Sequence, residues 1–374
     1  MSNDLGRVNV RFSAINEKIV DKIPSNVVLT GSSKYALWGL DNKYPNFLYD
    51  CYLTCPTLQS ILNGYVDYIL GNNINSQVLP KPNPNESWQE FISHLASDYV
   101  IFGVCYIQVI RNKAGQVSEL YWLDSRFVRV DEDEQAYWYN EDFAKKYVRT
   151  SKTLVYPKFI KDSEFPASVL SIKTPFSRGC YGTPIWGSAI KDVQVEIGIT
   201  DYHFSELENN FAGNTIINFN AGIPTEEQQD ELEKLVAKKF AGHQNAGRFL
   251  LSFNNGVDNA TTIEKLSTDD LDKRYVQLKE KTTENIYAGL RANPQLFGLV
   301  TKTGFSTQDY QEAYKIFQRT VIQPIQQRIV DGFDRIFGVV GSIVIEQFSI
   351  DFGEDETDNN NNNNNNGDNE NIID

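Results

Sequence analysis

Cys51 and Cys55, spaced one helical turn apart, and three histidines, His94, His203 and His243, are the side chains of this chain best suited to hold a metal or move a proton. A structural zinc site needs four thiolate or imidazole ligands. The remaining cysteines, Cys105 and Cys180, are distant singles, and the histidines fall in separate predicted elements, so no second pair completes the Cys51/Cys55 half-site. Both thiols are read as packing residues. His203 lies near Asp201 and Glu206 on a predicted helix, where a solvated imidazole is the simpler expectation. No glycine cluster is followed by Lys-Ser/Thr or sits at a strand-to-helix turn as nucleotide loops require. The expectation is therefore no catalytic residue, no metal and no cofactor.

The elements that would position any site must come from a chain of 374 residues, 41% hydrophobic and 12% aromatic, enough for two or three domains with real cores. No run of about 18 apolar residues occurs, and the first 30 residues mix Arg7, Arg11, Glu17, Lys18, Asp21 and Lys22 among the apolar positions, so neither a membrane span nor a leader is expected. Four scattered cysteines fit a reducing compartment. The net charge of −14 is uneven: residues 351–374 carry eight acidic and no basic side chains, leaving 35 basic against 41 acidic residues elsewhere. A mildly acidic body argues against tight binding of duplex DNA, whose affinity comes from Lys and Arg displacing counterions.

The N-terminal half reads as mixed α and β. A turn at Trp38-Gly39-Leu40-Asp41-Asn42-Lys43-Tyr44-Pro45 leads into a helical pattern from Phe47 to Leu70, broken at Pro56 and ended by Gly71. Ser87-Trp88-Gln89-Glu90 opens a helix through Ile101 that Gly103 stops. Val104–Arg111 and Glu119–Val130 bracket a hairpin turn, with further strands near 136–140 and 169–174. Tyr181-Gly182-Thr183-Pro184-Ile185-Trp186 then predicts a helix capped by Thr183, with Pro184 at its first position. Its stripe is Trp186, Ile190, Val193, Ile197, Phe204, Leu207 and Phe211, and it would reach roughly 40 Å.

A small αβ unit follows at about 213–266: a strand near 215–220, a helix from the Thr225-Glu226-Glu227-Gln228 capping box, and a strand near 247–253. A second long helix, Asp269–Leu290, carries Leu271, Tyr275, Leu278, Ile286 and Leu290 along one side. Asn293-Pro294 breaks it, and a short loop precedes a last helix from Ser306 or Thr307, with Pro324 inside its apolar stripe predicting a kink. Ile343–Asp351 reads as a final strand, and the acidic, asparagine-rich end from Gly353 as a disordered tail.

This order of parts resembles the portal proteins of tailed double-stranded DNA bacteriophages over about residues 35–340. Tyr181-Gly182-Thr183-Pro184-Ile185-Trp186 is similar to the family's Gly-x-Pro entry into its first stem helix, and Asn209-Asn210-Phe211-Ala212-Gly213 to its exit. Leu290-Arg291-Ala292-Asn293-Pro294-Gln295-Leu296-Phe297-Gly298 resembles the segment after the second stem helix, with Asn293 replacing the usual first proline; Thr320-Val321-Ile322-Gln323-Pro324 resembles a Thr-Leu-x-Pro in the last helix. The Trp38–Pro45 segment is similar to one that opens a subset of the family.

The resemblance implies an α+β subunit with an N-terminal mixed αβ wing (1–182), a first stem helix (183–212), a small αβ clip (213–266), a second stem helix (267–292) and a channel loop (293–306). A long kinked helix and strand (307–352) would complete the wing with a reduced crown, before the tail (353–374). It implies a ring, usually of twelve subunits, at one capsid vertex of a virion, assembled in the host cytoplasm. Double-stranded DNA would be packaged and ejected through it without sequence readout. Implied partners are the large terminase subunit, a head-tail adaptor and the major capsid protein; no membrane is implied. Thr301, Lys302, Thr303 and Gly304 would form the DNA-channel loop. Trp186, Ile190, Val193, Ile197, Phe204, Leu207, Phe211, Leu271, Tyr275, Leu278 and Ile286 would form the stem and subunit interface, and Pro324 the helix kink. The alternatives are a non-portal virion scaffold using the helical stalk and an enzyme with no linear signature.

Overall fold

In a computed structural model, residues 35–145, 152–177, 179–208, 215–219, 224–232, 249–253, 268–298 and 307–347 are described. The chain starts with α1 (Tyr44–Thr54) and α2 (Pro56–Leu70), split because Pro56 has no N–H to continue the first ladder. Cys55 sits at the junction, its N–H bonded to the Cys51 carbonyl, and both thiols are buried, that of Cys55 beside the Glu196 carboxylate. Burial pushes each thiol up to about 12, which leaves them protonated and inert. Gly71 ends α2, and β1 (Asn73–Ser76) follows, too short to be visible as a periodicity.

Helix α3 (Trp88–Phe102) opens on the full capping box: Ser87 Oγ accepts from the Glu90 N–H, and the Glu90 carboxylate accepts from the Ser87 N–H. The hairpin of β2 (Val104–Arg111) and β3 (Val117–Leu123) turns through Asn112–Gly115, with β7 (Ala167–Lys173) on the other side of β2. The expected single strand 119–130 is two. Asp124 caps a 3-10 turn at Ser125–Phe127, which redirects the chain into β4 (Val128–Val130) of a second sheet with β5 (Ala136–Tyr139) and β6 (Leu154–Pro157). Buried Asp98 holds that corner, accepting from Trp122 Nε1 (2.9 Å), Ser125 N–H (3.0 Å) and Ser125 Oγ (2.7 Å).

Helix α4 (Ile190–Glu208) begins six residues later than the Thr183-Pro184 signal indicates, after a 3-10 turn at Gly187–Ala189. Thr183 is not a cap, because its backbone is committed elsewhere: its N–H donates to Ser177 Oγ and its carbonyl accepts from Thr174 Oγ1. Beyond it, β8 (Thr215–Phe219) and β9 (Phe249–Phe253) pair in parallel, with helix α5, described over 226–232, between them in sequence. A parallel pair needs a crossover connection, and a helix is the usual one. Helix α6 (Thr268–Leu290) matches its predicted limits to one residue.

The last helical run is α7 (Thr307–Phe317), a π-helical turn at Gln318–Ile322, and α8 (Gln323–Phe337). The wider turn lets the Gln323 N–H reach back to the Gln318 carbonyl just where Pro324 cannot donate. Pro324 is therefore absorbed by a π turn and starts α8, where its fixed φ suits the first turn. Strand β10 (Ile343–Glu346) returns to pair antiparallel with β1, residue 346 opposite 73. One contiguous apolar core runs from Ala36 to Ile343 and takes in α1–α3, β2–β5, β7, the base of α4, the C-terminal half of α6, and α7–α8.

Candidate functional site

Three places carry the residues singled out in the sequence. The first is the joint before α4. Trp38 and Tyr181, 143 positions apart, stack with ring centroids 4.5 Å apart and planes 8° apart. The Tyr181 hydroxyl donates to the Ala36 carbonyl and accepts from the Val130 N–H (3.2 Å). Trp186 Nε1 donates to the Ile101 carbonyl (3.1 Å). Beneath them Arg129, fully buried, donates to the Asn42 side chain and carbonyl and to the Arg126 and Val128 carbonyls, and its guanidinium lies 5.0 Å from the Phe143 ring centre. Burial lowers its proton affinity, against the pull of Tyr181 and Tyr106. Gly103 and Gly182 make the close approach: a Cβ on Gly103 would sit 2.0 Å from the Thr183 carbonyl oxygen, and one on Gly182 would sit 2.3 Å from the Gly103 oxygen. The Trp38–Pro45 turn, the end of α3 and the Tyr181–Trp186 segment are thus one welded unit.

The second place is the α4/α6 pair. The helices run antiparallel, with Ala189 against Gly289, Asn285 Nδ2 donating to Asp192 Oδ1 (2.8 Å), and Tyr202 stacked on Tyr275 at 5.1 Å. Their lower ends belong to the chain's own core: Trp186, Ile190, Val193 and Ile286 are buried there, and Ile197 packs on it. The face read as one continuous stripe is divided, since α1 and α2 already cover its base, where Thr57 Oγ1 donates to the buried Glu196 carboxylate (2.8 Å). Toward the far ends the apolar side chains are uncovered: Phe204 is 61% exposed, Val276 59% and Leu278 45%. Tyr275 is half-buried. Val195, Tyr202 and Val276 are exposed apolar positions that the stripe reading omits, because they lie off its single 3.6-residue row. The Leu207 and Leu271 side chains and Phe211 lie outside the described residues.

The third place is the segment after α6. Arg291 adopts φ 56°, and Asn293 Oδ1 accepts from the Gln295 N–H (3.1 Å) to start a 3-10 turn at Pro294–Phe297. Phe297 packs among Tyr65, Tyr68, Tyr287 and Phe317, and the Tyr68 hydroxyl donates to the Leu296 carbonyl (3.2 Å). The first part of the expected 293–306 loop is therefore anchored on α2. Thr301, Lys302, Thr303 and Gly304 lie outside the described residues, as does His243.

Among the described residues no group of three or more His, Cys, Asp or Glu side chains is placed to hold a metal, and no helix is long and apolar enough to cross a membrane. His94 stacks on Trp122 at 4.6 Å, and His203 packs against Tyr275.

An α+β body that carries a two-helix pair with uncovered apolar side chains has the build of a structural assembly protein. The comparisons agree: the model of the phage portal protein family matches residues 70–362, and the chain belongs to that family. The probable portal protein of Escherichia phage P2 is 22% identical over 294 residues, covering 77% of this chain and 78% of the phage protein. An uncharacterized protein of Rickettsia bellii (strain RML369-C) is 23% identical over 345 residues, covering 89% of this chain and 84% of the relative. Among solved structures, the fold is similar to a chain from the neck of a native gene transfer agent particle with C12 symmetry, at TM-score 0.53 and 17% identity, covering 81% of this chain and 84% of that one.

Proposed function

We propose that this portal-family chain assembles as a closed ring, of twelve subunits, at one capsid vertex, and that double-stranded DNA passes through the ring during packaging and ejection. The single observation that carries the reading is the α4/α6 pair. Its base is welded into the core while Phe204, Val276 and Leu278 leave it uncovered, and an unfinished apolar surface on a soluble subunit is completed by a neighbour. The C12 symmetry of the neck that shares the fold supports the ring. In this reading α4 and α6 form the stem, the unit around β8 and β9 the clip, the N-terminal α/β body together with α8 and β10 the wing, and residues 299–306 the channel loop.

The protein would act as a conduit without turnover of its own. Its mildly acidic body suits that role, because dense Lys and Arg would hold each phosphate and stop the duplex from sliding. Lys302, flanked by Thr301 and Thr303 and followed by Gly304, would touch the phosphate backbone without base readout. The large terminase subunit, a head-tail adaptor and the major capsid protein would dock on the ring. Negative-stain microscopy with mass photometry tests the assembly: closed rings with an axial hole, at about twelve times the 42.6 kDa chain mass, are expected. A compact monomer at micromolar concentration would sink the reading.

A further inference from the structure

The last helical run carries two cations that the rest of the fold leaves alone. Lys315 of α7 and Arg319 of the π turn, both exposed, stand ~6 Å apart along the helix axis. Neither has a carboxylate within ion-pair distance among the described residues. Like charges at this spacing oppose the helix. A free helix end would offset them, but the run continues into α8, with the Gln318 carbonyl taken by the Gln323 N–H. The acids of α7 lie elsewhere: Asp309 and Glu312 line the groove shared with Arg291 and Asn293. Two unpaired positive charges held in a fixed place suit an anion.

The chain carries such an anion close by. Just past β10, Gln347 Oε1 accepts from Gln318 Nε2 (2.6 Å), and Gln347 Nε2 donates to Gln326 Oε1 (3.0 Å), so the chain is fixed beside the residue that precedes Arg319. Asp351, Glu354, Asp355, Glu356 and Asp358 follow, and no Lys or Arg occurs from 348 to 374. The chain from Gln347 to Asp358 spans up to ~38 Å when extended. Lys315 and Arg319 both lie within about one helical turn of Gln318. Ahead of the first acid, Phe348 and Ile350 alternate with Ser349, and Ile316, 63% exposed next to Lys315, is an apolar neighbour for them.

We propose that the acidic segment 351–358 lies across Lys315 and Arg319 of its own chain and stands there in place of the phosphates of a duplex. Covalent attachment gives it a high effective concentration, so it occupies the cations whenever DNA does not. Helix α7 follows directly on residues 299–306, and Lys315 is the next cation in sequence after Lys302. A competing polyanion keeps phosphates from settling on these cations and so preserves sliding. The competition rests on the conduit reading above; the docking does not.

Digestion of the purified full chain with a Glu-specific protease, read by mass spectrometry, tests the docking. Cuts after Glu354 and Glu356 should be at least ~3-fold slower in the original protein than in a Lys315→Gln/Arg319→Gln variant with unchanged circular dichroism. Lys315→Arg with Arg319→Lys should keep the protection. A free peptide of residues 348–374 gives the unprotected rate and serves as the reference if the glutamine variant misfolds. A segment cut as fast as that peptide would overturn the docking, and so would protection seen in rings but lost in dilute single chains, which would assign the segment to a neighbour. For the competition, a full chain with those five acids changed to Asn or Gln should retain a short duplex more tightly at the same salt, and the gain should vanish when Lys315→Gln and Arg319→Gln are added. Protection without that gain would refute the competition and leave the docking. Failure of the protein to form rings would sink the conduit reading and leave the protease result standing.

Discussion

Asp98 shows how a single buried carboxyl records the fold in its titration. Burial pushes it up to about 7, with the Asp124 charge adding to the rise and the bonds from Ser125 and Trp122 opposing it. Its proton is thus held more tightly in the folded chain than in the unfolded one. The stabilising contribution is complete below pH ~4 and is lost as pH climbs to about 7, with an upper limit on the order of 4 kcal/mol. The thermal midpoint of the unsubstituted protein should therefore fall more between pH 5 and pH 8 than that of an Asp98→Asn variant; equal slopes by scanning fluorimetry would refute the assignment. Lys302 poses a functional test. Lys302→Glu should leave rings intact and change the length or retention of packaged DNA, and loss of the ring would show that the residue is structural instead. Lys302 is singled out by the sequence alone and lies outside the described residues, whereas nothing in the sequence marks Asp98. A lone Asp in an apolar helix carries no motif, and its donors come from a corner 24 to 27 residues away.

At the scale of elements, boundaries were legible where a cap acts locally and obscure where the same residues are used for packing. Ser87 and Glu90 close their own box, so the start of α3 could be read directly. Thr183 and Pro184 carry an equally good signal, yet α4 starts at Ile190 because Thr174 and Ser177 have taken the Thr183 backbone. Strands β1 and β6, four residues each, are too short to show a period. Glycine substitutions measure the weld at that joint. Gly103 and Gly115 have similar left-handed φ values of 75° and 81°, but only Gly103 faces a carbonyl; nothing lies within 4 Å of a Cβ at Gly115. Gly115→Ala should lose about 1 kcal/mol to backbone strain. Gly103→Ala should lose at least ~2 kcal/mol more, since the clash falls on backbone. Equal losses in urea unfolding would show that the joint can relax.

On the scale of the whole molecule, the stripe of α4 is divided along its length. Its base holds α4 in the core, and its far end, around Phe204, is exposed on the single chain. Periodicity alone could not divide the two, because it records which side of a helix is apolar and not what covers it. Phe204→Asp together with Val276→Asp should leave circular dichroism and thermal unfolding of the subunit close to the original while shifting mass photometry from rings to single chains. Rings that persist would locate the subunit contacts elsewhere.

The pairing of β1 with β10 fixes when any of this can happen. Residues 73–76 find their partners 343–346 only once the chain has been made as far as β10. A contact of such sequence separation slows folding and postpones closure of the body until then. An emerging chain therefore exposes β1 without its partner through the synthesis of every element between them.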